Sequence, residues 1–525
     1  MESLTPQGSS VRNFEHWLGP LDRLFNWVYT ARYNPLYQSG ALTVGLFLVM
    51  LVTGIYLLIF YKTGAPYDSV AWMQSQVWHG RWIRSLHRYA SNAAMVAAMF
   101  HMLRVFLQGR TWGPRVMAWL SGVALLGVML ICGWTGLILV WDVQAQWLAV
   151  EGAKLMDLLP LFSEPISRAF VSEKSLSASF FFMNMVAHIA IPIALALLIW
   201  IHTMRLARPR LLPEKRLFWG MTGGLIVLSI VAPVDLPPRA EVFSMVGEMP
   251  IDLMYSFWLL LTEVVSTPWV MGMFVVTGAG LASVPLWRRP SRKQAPIPSF
   301  VQEPLCTGCT QCYKDCPYEA IQMVPRELGK GSDLVGRVNP DLCVSCGICV
   351  GSCAPMMVGP PGRQGRSQLD LLKATLGEQK LKPGQVMLFH CANSAGTWLQ
   401  GNPPAGVVPF QVNCAGELHT SLIEYVLRRG AGGAYVLSCP SRDCVYREGP
   451  NWLFERVYKD REAELQPRVD RRRVRLGFFN QGESTRANRD IKSFIQYVQG
   501  GLKAPVAEQE VELDLACDLS ETGND

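Results

Sequence analysis

Four histidines in apolar surroundings carry the chemistry of the first half of the chain. His87 and His101 lie 14 residues apart in one hydrophobic segment, and His188 and His202 lie 14 apart in another. On a helix that interval is about 21 Å of rise and almost four full turns. Both imidazoles of a pair therefore leave the same face, one near each side of a bilayer. Ionisable side chains inside membrane spans are costly and usually functional. A single one could be a packed core histidine, but one spacing repeated in two segments points to ligands. The economical reading is two haems stacked across a membrane, each iron held by one histidine from each helix. Gly40 with Gly54, and Gly122 with Gly136, repeat the same interval. Glycine also serves ordinary helix packing, yet four at this spacing make room for flat macrocycles.

The second half carries sulfur chemistry. Cys306, Cys309, Cys312 and Cys316-Pro317 read C-x2-C-x2-C-x3-C-P, and Cys343, Cys346, Cys349 and Cys353 repeat the run with Ala354 where proline usually stands. Thiolates so spaced wrap cubane iron–sulfur clusters, and in two-cluster ferredoxins the fourth cysteine of each run serves the other cluster. The expected sets are Cys306, Cys309, Cys312 with Cys353, and Cys343, Cys346, Cys349 with Cys316. Zinc and disulfides are the alternatives; a cytoplasmic location disfavours disulfides, and zinc sites rarely use an eight-cysteine double run. Cys391, Cys414, Cys439 and Cys444 lie at or near predicted strand ends, where loops can converge on one site. Four convergent thiolates suit a [2Fe-2S] cluster; buried inert thiols are the alternative. Cys132, inside a span, and Cys517, in the tail, read as structural or incidental.

Two kinds of scaffold must position these groups. The chain has 525 residues, half of them hydrophobic and 17% charged, with 14 cysteines, too long and too unevenly apolar for one soluble domain. The net charge of +7 is small for this length and lies beside the spans, so no nucleic-acid footprint follows. Residues 1–37 show neither an h-region nor a small-residue cleavage site; Phe14, Trp17, Leu18, Leu21, Leu24, Phe25, Trp27 and Val28 recur at helical spacing and predict an interfacial helix or a surface helix on a partner. Six spans are expected at about 38–61, 88–108, 117–140, 181–204, 217–234 and 253–286, the last kinked at Pro268 or preceded by a surface segment. Basic residues fall at alternate loops: Arg12, Arg23 and Arg32; Arg104, Arg110 and Arg115; Arg205, Arg208, Arg210, Lys215 and Arg216; Arg288, Arg289, Arg292 and Lys293. These loops should face the cytoplasm of a prokaryotic inner membrane, which places everything beyond 290 inside. Spans two and four then run in the same direction, so the first histidine of one pairs with the first of the other. The segment 142–180 should hold one or two short helices over the outer haem. After a Pro- and Ser-rich linker, 291–304, comes the two-cluster region, 305–360. In 380–505, Val386–Phe389 and Ala434–Leu437 read as buried strands and 418–429 as the helix between them; the tail, 506–525, is acidic, either disordered or a docking strip. The fold class is therefore multidomain: an all-α membrane helix bundle, an α+β bacterial-ferredoxin-like domain and a small α/β domain.

The run Trp82-Ile83-Arg84-Ser85-Leu86-His87-Arg88, then His101-Met102-Leu103-Arg104, then Thr135-Gly136 ahead of Trp141-Asp142, resembles the cytochrome b of quinol-oxidising bc-type complexes, over roughly residues 12–290. The resemblance implies two haem b, ligand pairs His87 with His188 and His101 with His202, and Arg84, Arg88, Arg104 and Arg115 as partners for haem propionates, which arginine can bind bidentately. Two departures matter. The family's Pro-Glu-Trp-Tyr motif, whose glutamate takes a proton from quinol at the outer site, corresponds here to Pro250-Ile251-Asp252-Leu253-Met254-Tyr255. Asp252 is then the nearest carboxylate for proton transfer, or a solvated interfacial residue, the reading slightly favoured; Glu263, deeper in the same segment, is a second candidate. Gln38 stands where the split cytochrome b of oxygenic photosynthesis carries the cysteine for an extra haem, so no such attachment is expected. Farther on, Cys439-Pro440-Ser441-Arg442-Asp443-Cys444-Val445-Tyr446-Arg447-Glu448-Gly449 resembles the delta subunit of methyl-viologen-reducing hydrogenases, implying a [2Fe-2S] relay to a heterodisulfide-reductase-like partner. The family's early C-x-x-C reads Cys391-Ala392-Asn393-Ser394, so the four remaining cysteines are the ligands or the cluster is lost.

The centres form a line from outer haem to binuclear cluster, and no catalytic nucleophile or nucleotide loop accompanies them. The expectation is an oxidoreductase subunit passing electrons between the quinone pool, at a site near the inner haem that Arg205 and Arg208 could line, helix-end anchoring being the favoured role of these two, and a cytoplasmic redox partner, hydrogenase-like or heterodisulfide-reductase-like. The alternatives are a bc-type quinol oxidase with Rieske or cytochrome c subunits and an appended iron–sulfur branch, and a redox-sensing or assembly scaffold. Family analogy suggests a homodimer.

Overall fold

In a computed structural model the described residues are 17–160, 164–170, 178–204, 206–241, 252–289, 296–327, 332–378, 380–396, 403–459 and 461–502. The chain divides into two compact units, Leu24–Lys293 and the remainder. Arg12, Arg205, Pro250, Ile251, Arg292, Lys293, Cys517 and the whole 506–525 tail lie outside the described residues.

The first unit is helical: α1 Gly19–Tyr33, α2 Ser39–Phe60, α3 Pro66–Ser75, α4 Gly80–Leu107, α5 Val116–Ile138, α6 Val143–Asp157, α7 Ala178–Thr203, α8 Lys215–Val231, α9 Leu259–Thr262 and α10 Thr267–Trp287. Five helices among the described residues, α2, α4, α5 with its preceding turn, α7 and α10, are long and apolar enough to cross a membrane. The fifth expected span coincides with α8, which at 17 residues is not one of these five. The sixth departs further: residues 253–266 are turns and the short α9, and the long helix starts at Thr267 with Pro268 in its first turn, where a missing N–H costs nothing. Glu263 is consequently an exposed residue ahead of the helix, outside any span. The second span begins at Gly80, eight residues earlier than 88, which leaves His87 two turns inside α4. Trp17, Leu21, Leu24, Trp27 and Val28 on and beside α1 are exposed. Helix α2 packs on α4, and α5 on α7. Between α2 and α4, Ala90 and Ala94 are fully buried against Leu46, and such small side chains let membrane helices approach closely.

The second unit holds strands β1 Phe300–Val301, β2 Ile321–Pro325, β3 Leu334–Val338, β4 Val358–Gly359, β5 Val386–Cys391, β6 Val407–Val412, β7 Gly433–Ser438 and β8 Val474–Phe478. Strands β1 and β4 pair antiparallel, as do β2 and β3. Phe300 and Val301, read above as linker, thus belong to the two-cluster region. Strands β5 to β8 form one parallel sheet in the order β6-β5-β7-β8. Helices α14 Thr420–Arg428, α15 Gly449–Tyr458 and α16 Ser484–Gln499 follow β6, β7 and β8; the earlier Gln311–Asp315, Ile348–Gly351 and Gly365–Leu376 are α11 to α13. Strands β5 and β7 are buried throughout, as a parallel sheet covered on both faces requires. One face packs Met387 and Phe389 on Leu422, Val426 and Leu453; the other packs Leu388 and Tyr435 on Ile491 and Phe494. Pro409 stands in β6, an edge strand that can spare a donor.

Candidate redox centres

Every glycine of the 14-residue series lies under a histidine ring. A β-carbon at Gly40 would come within 2.9 Å of the His101 ring, at Gly54 within 3.3 Å of His87, at Gly122 within 3.4 Å of His202 and at Gly136 within 2.8 Å of His188. Each of these glycines follows a hydroxyl residue: Ser39, Thr53, Ser121 and Thr135. Thr53 Oγ1 lies 2.9 Å from His87 Nδ1 and donates its own proton to Val49 O at 2.8 Å. Ser121 Oγ stands 3.0 Å from His202 Nδ1 while donating to Met117 O. Thr135 Oγ1, 3.1 Å from His188 Nδ1, donates to Cys132 O. A hydroxyl whose proton is already placed can only accept, so Nδ1 is the protonated nitrogen of all three rings and Nε2 carries the lone pair a metal requires. His188 Nδ1 also lies 3.1 Å from Cys132 O and 4.0 Å from Cys132 Sγ. Cys132, read above as structural or incidental, thus packs against the His188 ring.

His87 and His188 line one cavity of about 540 Å³, together with Gly54, Gly136, Arg84, Arg88, Asp142 and Asp252. Clearance above two glycines, two imidazoles presenting Nε2 and two guanidinium groups suit a haem with its propionates. Arg84 lies at the wall, donating to Gln74 Oε1, Val234 O and Asp235 O at 2.8–3.1 Å. Arg88 is ion-paired with Asp252 and lies over the Tyr255 ring. Asp252 is thus not the solvated interfacial residue favoured from the sequence: its side chain is 10% exposed and its Oδ1 accepts from Met254 N and Tyr255 N. The fold of 252–258 draws it inward. Arg104 is buried with its guanidinium over Tyr37, Arg115 stands just ahead of α5 without a side-chain capping bond, and Arg208 is exposed in the loop after α7.

In the second unit Cys306, Cys309, Cys312 and Cys353 line one small cavity, bringing three cysteines of the first run to the fourth of the second. Cys316 lies close enough to Cys343 and Cys346 for their charges to interact, and Cys349 interacts with Cys346 and Cys316. Burial and the neighbouring thiols push Cys312 up to about 12 and raise Cys346 and Cys349 strongly. Thiols so crowded ionise only around a cationic core, which deprotonates them outright. Backbone N–H groups already point at sulfur, from Ser299 to Cys343, Ala320 to Cys316 and Met357 to Cys353, at 3.3–3.4 Å. Such bonds stabilise cluster thiolates. Cys309 is exposed, whereas Cys316, Cys346 and Cys349 are buried.

The parallel sheet explains the third group. Cys391 ends β5, Cys414 follows β6 by two residues and Cys439 follows β7 by one, so all three stand at the same carboxyl edge, where such sheets build their sites. Cys444, from the following turn, is hydrogen-bonded to Cys414 and Cys439, and Cys391 to Cys439; all four are buried, and these contacts with burial raise the Cys414 and Cys439 thiols. Among the described residues no three or more His, Cys, Asp or Glu converge as the ligands of one single metal ion.

The comparisons divide the chain along the same lines. Residues 26–209 match the model "Cytochrome b/b6/petB", 305–355 "4Fe-4S dicluster domain" and 386–500 "Methyl-viologen-reducing hydrogenase, delta subunit". Cytochrome b6 of Heliobacterium mobile is 38% identical over 130 residues, 24% of this chain and 61% of that protein. The menaquinol:cytochrome c reductase cytochrome b subunit of Geobacillus thermodenitrificans is 31% identical over 133 residues, 25% of this chain and 59% of that one. The chain thus spans about three fifths of the length of the curated relatives it matches. A solved chain titled "Hyperthermophilic respiratory Complex III" aligns with 53% of this chain and 85% of its own, at 16% identity and a TM-score of 0.35. The chain carries in series three regions that match the models of cytochrome b/b6, of a 4Fe-4S dicluster domain and of the delta subunit of methyl-viologen-reducing hydrogenase.

Proposed function

We propose that this chain is the membrane electron-transfer subunit of a bc-type complex, passing electrons between the quinone pool and a redox partner docked on its iron–sulfur unit. The observation that carries the reading is the continuity of donor sets: a histidine-lined cavity with glycine clearance in one unit, and three thiol groups in the other, the second and third adjoining. The groups bound there, two haem b, two [4Fe-4S] and one [2Fe-2S], supply one-electron steps. His87 with His188 and His101 with His202 hold the haems, the Nδ1 protons of His87, His188 and His202 lying on hydroxyl oxygens. Arg84 and Arg88 supply positive charge beside the outer pair, and Arg104 and Arg115 act near the inner one. Quinone reacts near the inner pair, on the cytoplasmic face of the prokaryotic inner membrane, and the partner is a hydrogenase-like or heterodisulfide-reductase-like oxidoreductase.

The test is a redox titration of the purified full-length protein, following haem absorbance and cluster EPR together, with and without a short-chain quinol. Quinol that reduces the haems and also exchanges electrons with the clusters supports the conduit. Haems that respond while the clusters never equilibrate with them overturn it. A second reading, a quinol-oxidising subunit working with Rieske or cytochrome c subunits, is favoured by one observation: Asp252 faces the outer cavity beside Arg88.

A further inference from the structure

The boundary between the dicluster segment and the carboxyl-terminal sheet is built from charged groups with no part in holding iron. Arg363, from the turn ahead of α13, donates to Ser345 O at 3.2 Å and Cys346 O at 3.5 Å. The same guanidinium is ion-paired with Glu417, whose side chain is 3% exposed. Glu417 in turn accepts from Asn413 N at 2.8 Å, and Asn413 Nδ2 donates to Cys346 O at 3.4 Å. The pair thus spans from the Cys346 loop of the buried cubane set to the residue preceding Cys414 of the third set. The packing leaves no slack: at Gly347, φ +80°, a β-carbon would lie 2.1 Å from Glu417 Oε2 and 2.9 Å from Arg363 Nη2. Only glycine adopts that conformation freely and lets the pair sit directly on a cluster-binding loop. The two segments are also clamped elsewhere. Arg461 pairs with fully buried Asp315 and stacks on Trp452, and Trp452 Nε1 donates to Asp315 O. Arg363 and Glu417 are therefore not needed simply to join them.

We propose that the Arg363–Glu417 ion pair, seated on Gly347 between Cys346 and Cys414, is the electrostatic junction that sets how one electron is shared between the buried [4Fe-4S] cluster and the [2Fe-2S] cluster. This rests on the cluster assignments made above but not on the quinone reaction. In the step, one electron leaves the reduced cubane, which is oxidised, and enters the oxidised binuclear cluster, which is reduced; no atom or proton moves. The guanidinium lies against the cubane's own backbone and favours its reduced, more negative state, while the Glu417 carboxylate opposes it. Arg363 and Glu417 are positioning residues, since neither holds iron.

The experiment uses the full-length holoprotein, reduced stepwise with dithionite and without quinol, and reads both midpoints by EPR in the parent protein and in R363Q, R363K and E417Q. R363Q lowers the cubane midpoint, changing the equilibrium for sharing the electron about tenfold, which is 59 mV for a one-electron couple. E417Q raises the same midpoint, and R363K restores most of the parent value. Opposite signs are the signature, because a merely structural pair would loosen the site in the same way from either side. Unchanged midpoints, shifts of one sign, or loss of iron and acid-labile sulfide from both R363Q and E417Q overturn the proposal. A parent protein without any [2Fe-2S] signal overturns the cluster assignment itself, an outcome distinct from a parent with both signals and variants that do not move them.

Discussion

Gly136 lies so close beneath His188 that a β-carbon there would stand 2.8 Å from the ring's Cε1, whereas at Gly54 the corresponding distance to His87 is 3.3 Å. One cavity therefore has a tight wall and a looser one. Alanine at 136 forces the His188 ring off its line, while alanine at 54 asks for a few tenths of an ångström. G136A is expected to lose most of the outer haem and G54A to retain it with an altered midpoint, read as the haem-to-protein ratio and by optical redox titration. Equal haem content in the two variants would remove the clearance argument for this cavity.

The hydroxyls that precede the glycines give a second expectation. Thr135 accepts from His188 Nδ1 and so fixes the tautomer that offers Nε2. Valine keeps the shape of threonine and removes the oxygen. Partners of this kind typically contribute 10–100-fold in metal affinity, so T135V should weaken haem retention by about that factor and raise the remaining midpoint, as a less basic imidazole stabilises ferric iron less. Cys132 O also lies 3.1 Å from the same nitrogen, and His87 likewise has a backbone partner at Met50, so T53V should weaken retention to a similar extent as T135V. Haem dissociation into apomyoglobin measures both.

These residues also mark where the sequence could be read and where it could not. The histidines and glycines declare themselves by a shared interval of 14, a property of one helix face. The signal for Thr53, Ser121 and Thr135 was equally local, one hydroxyl before each glycine, but it becomes chemical only once the rings are placed. Asp252 was not legible, because its exposure depends on how 252–258 folds against α4, 164 residues away from Arg88 in sequence. Strand β6 was hidden by Pro409 and β8 by Arg475 and the three arginines ahead of it; edge positions in the sheet accommodate both. Gly477 in β8 looks like a break, yet a β-carbon there would meet Tyr435 Oη at 1.9 Å, so the glycine is what lets β7 and β8 pair over that ring. The Arg363–Glu417 contact joins positions 54 apart, for which no periodicity gives a cue.

The crossed cysteine sets can be separated by spectroscopy. If Cys353 completes the group of Cys306, Cys309 and Cys312, C353S and C309S should remove or convert the same EPR signal and leave the other cubane intact. C316S should instead act with C346S. Because Cys309 is exposed while Cys316, Cys346 and Cys349 are buried, the first cluster should also be bleached by ferricyanide well before the second. If C353S abolished the signal that C346S abolishes, the cavity shared by Cys306, Cys309, Cys312 and Cys353 would not be a cluster site.

Asp252 decides between the two functional readings. Its carboxylate neutralises Arg88 in a largely buried setting, so D252N should destabilise the membrane unit by about 1–3 kcal/mol, the cost of leaving a buried donor unpaired, read as a lowered melting temperature in detergent. If quinone reacts only near the other histidine pair, D252N retains quinol-driven haem reduction once the loss of folded protein is corrected for, because the residue lies at the cavity lined by His87 and His188. If the outer cavity oxidises quinol, the same variant should lose a proton acceptor, and reduction of an external high-potential acceptor should fall by 10²–10⁴-fold, the usual worth of a positioned base. D252E separates position from charge: it retains the carboxylate and should recover the stability in both cases, but recovers rate only in the second.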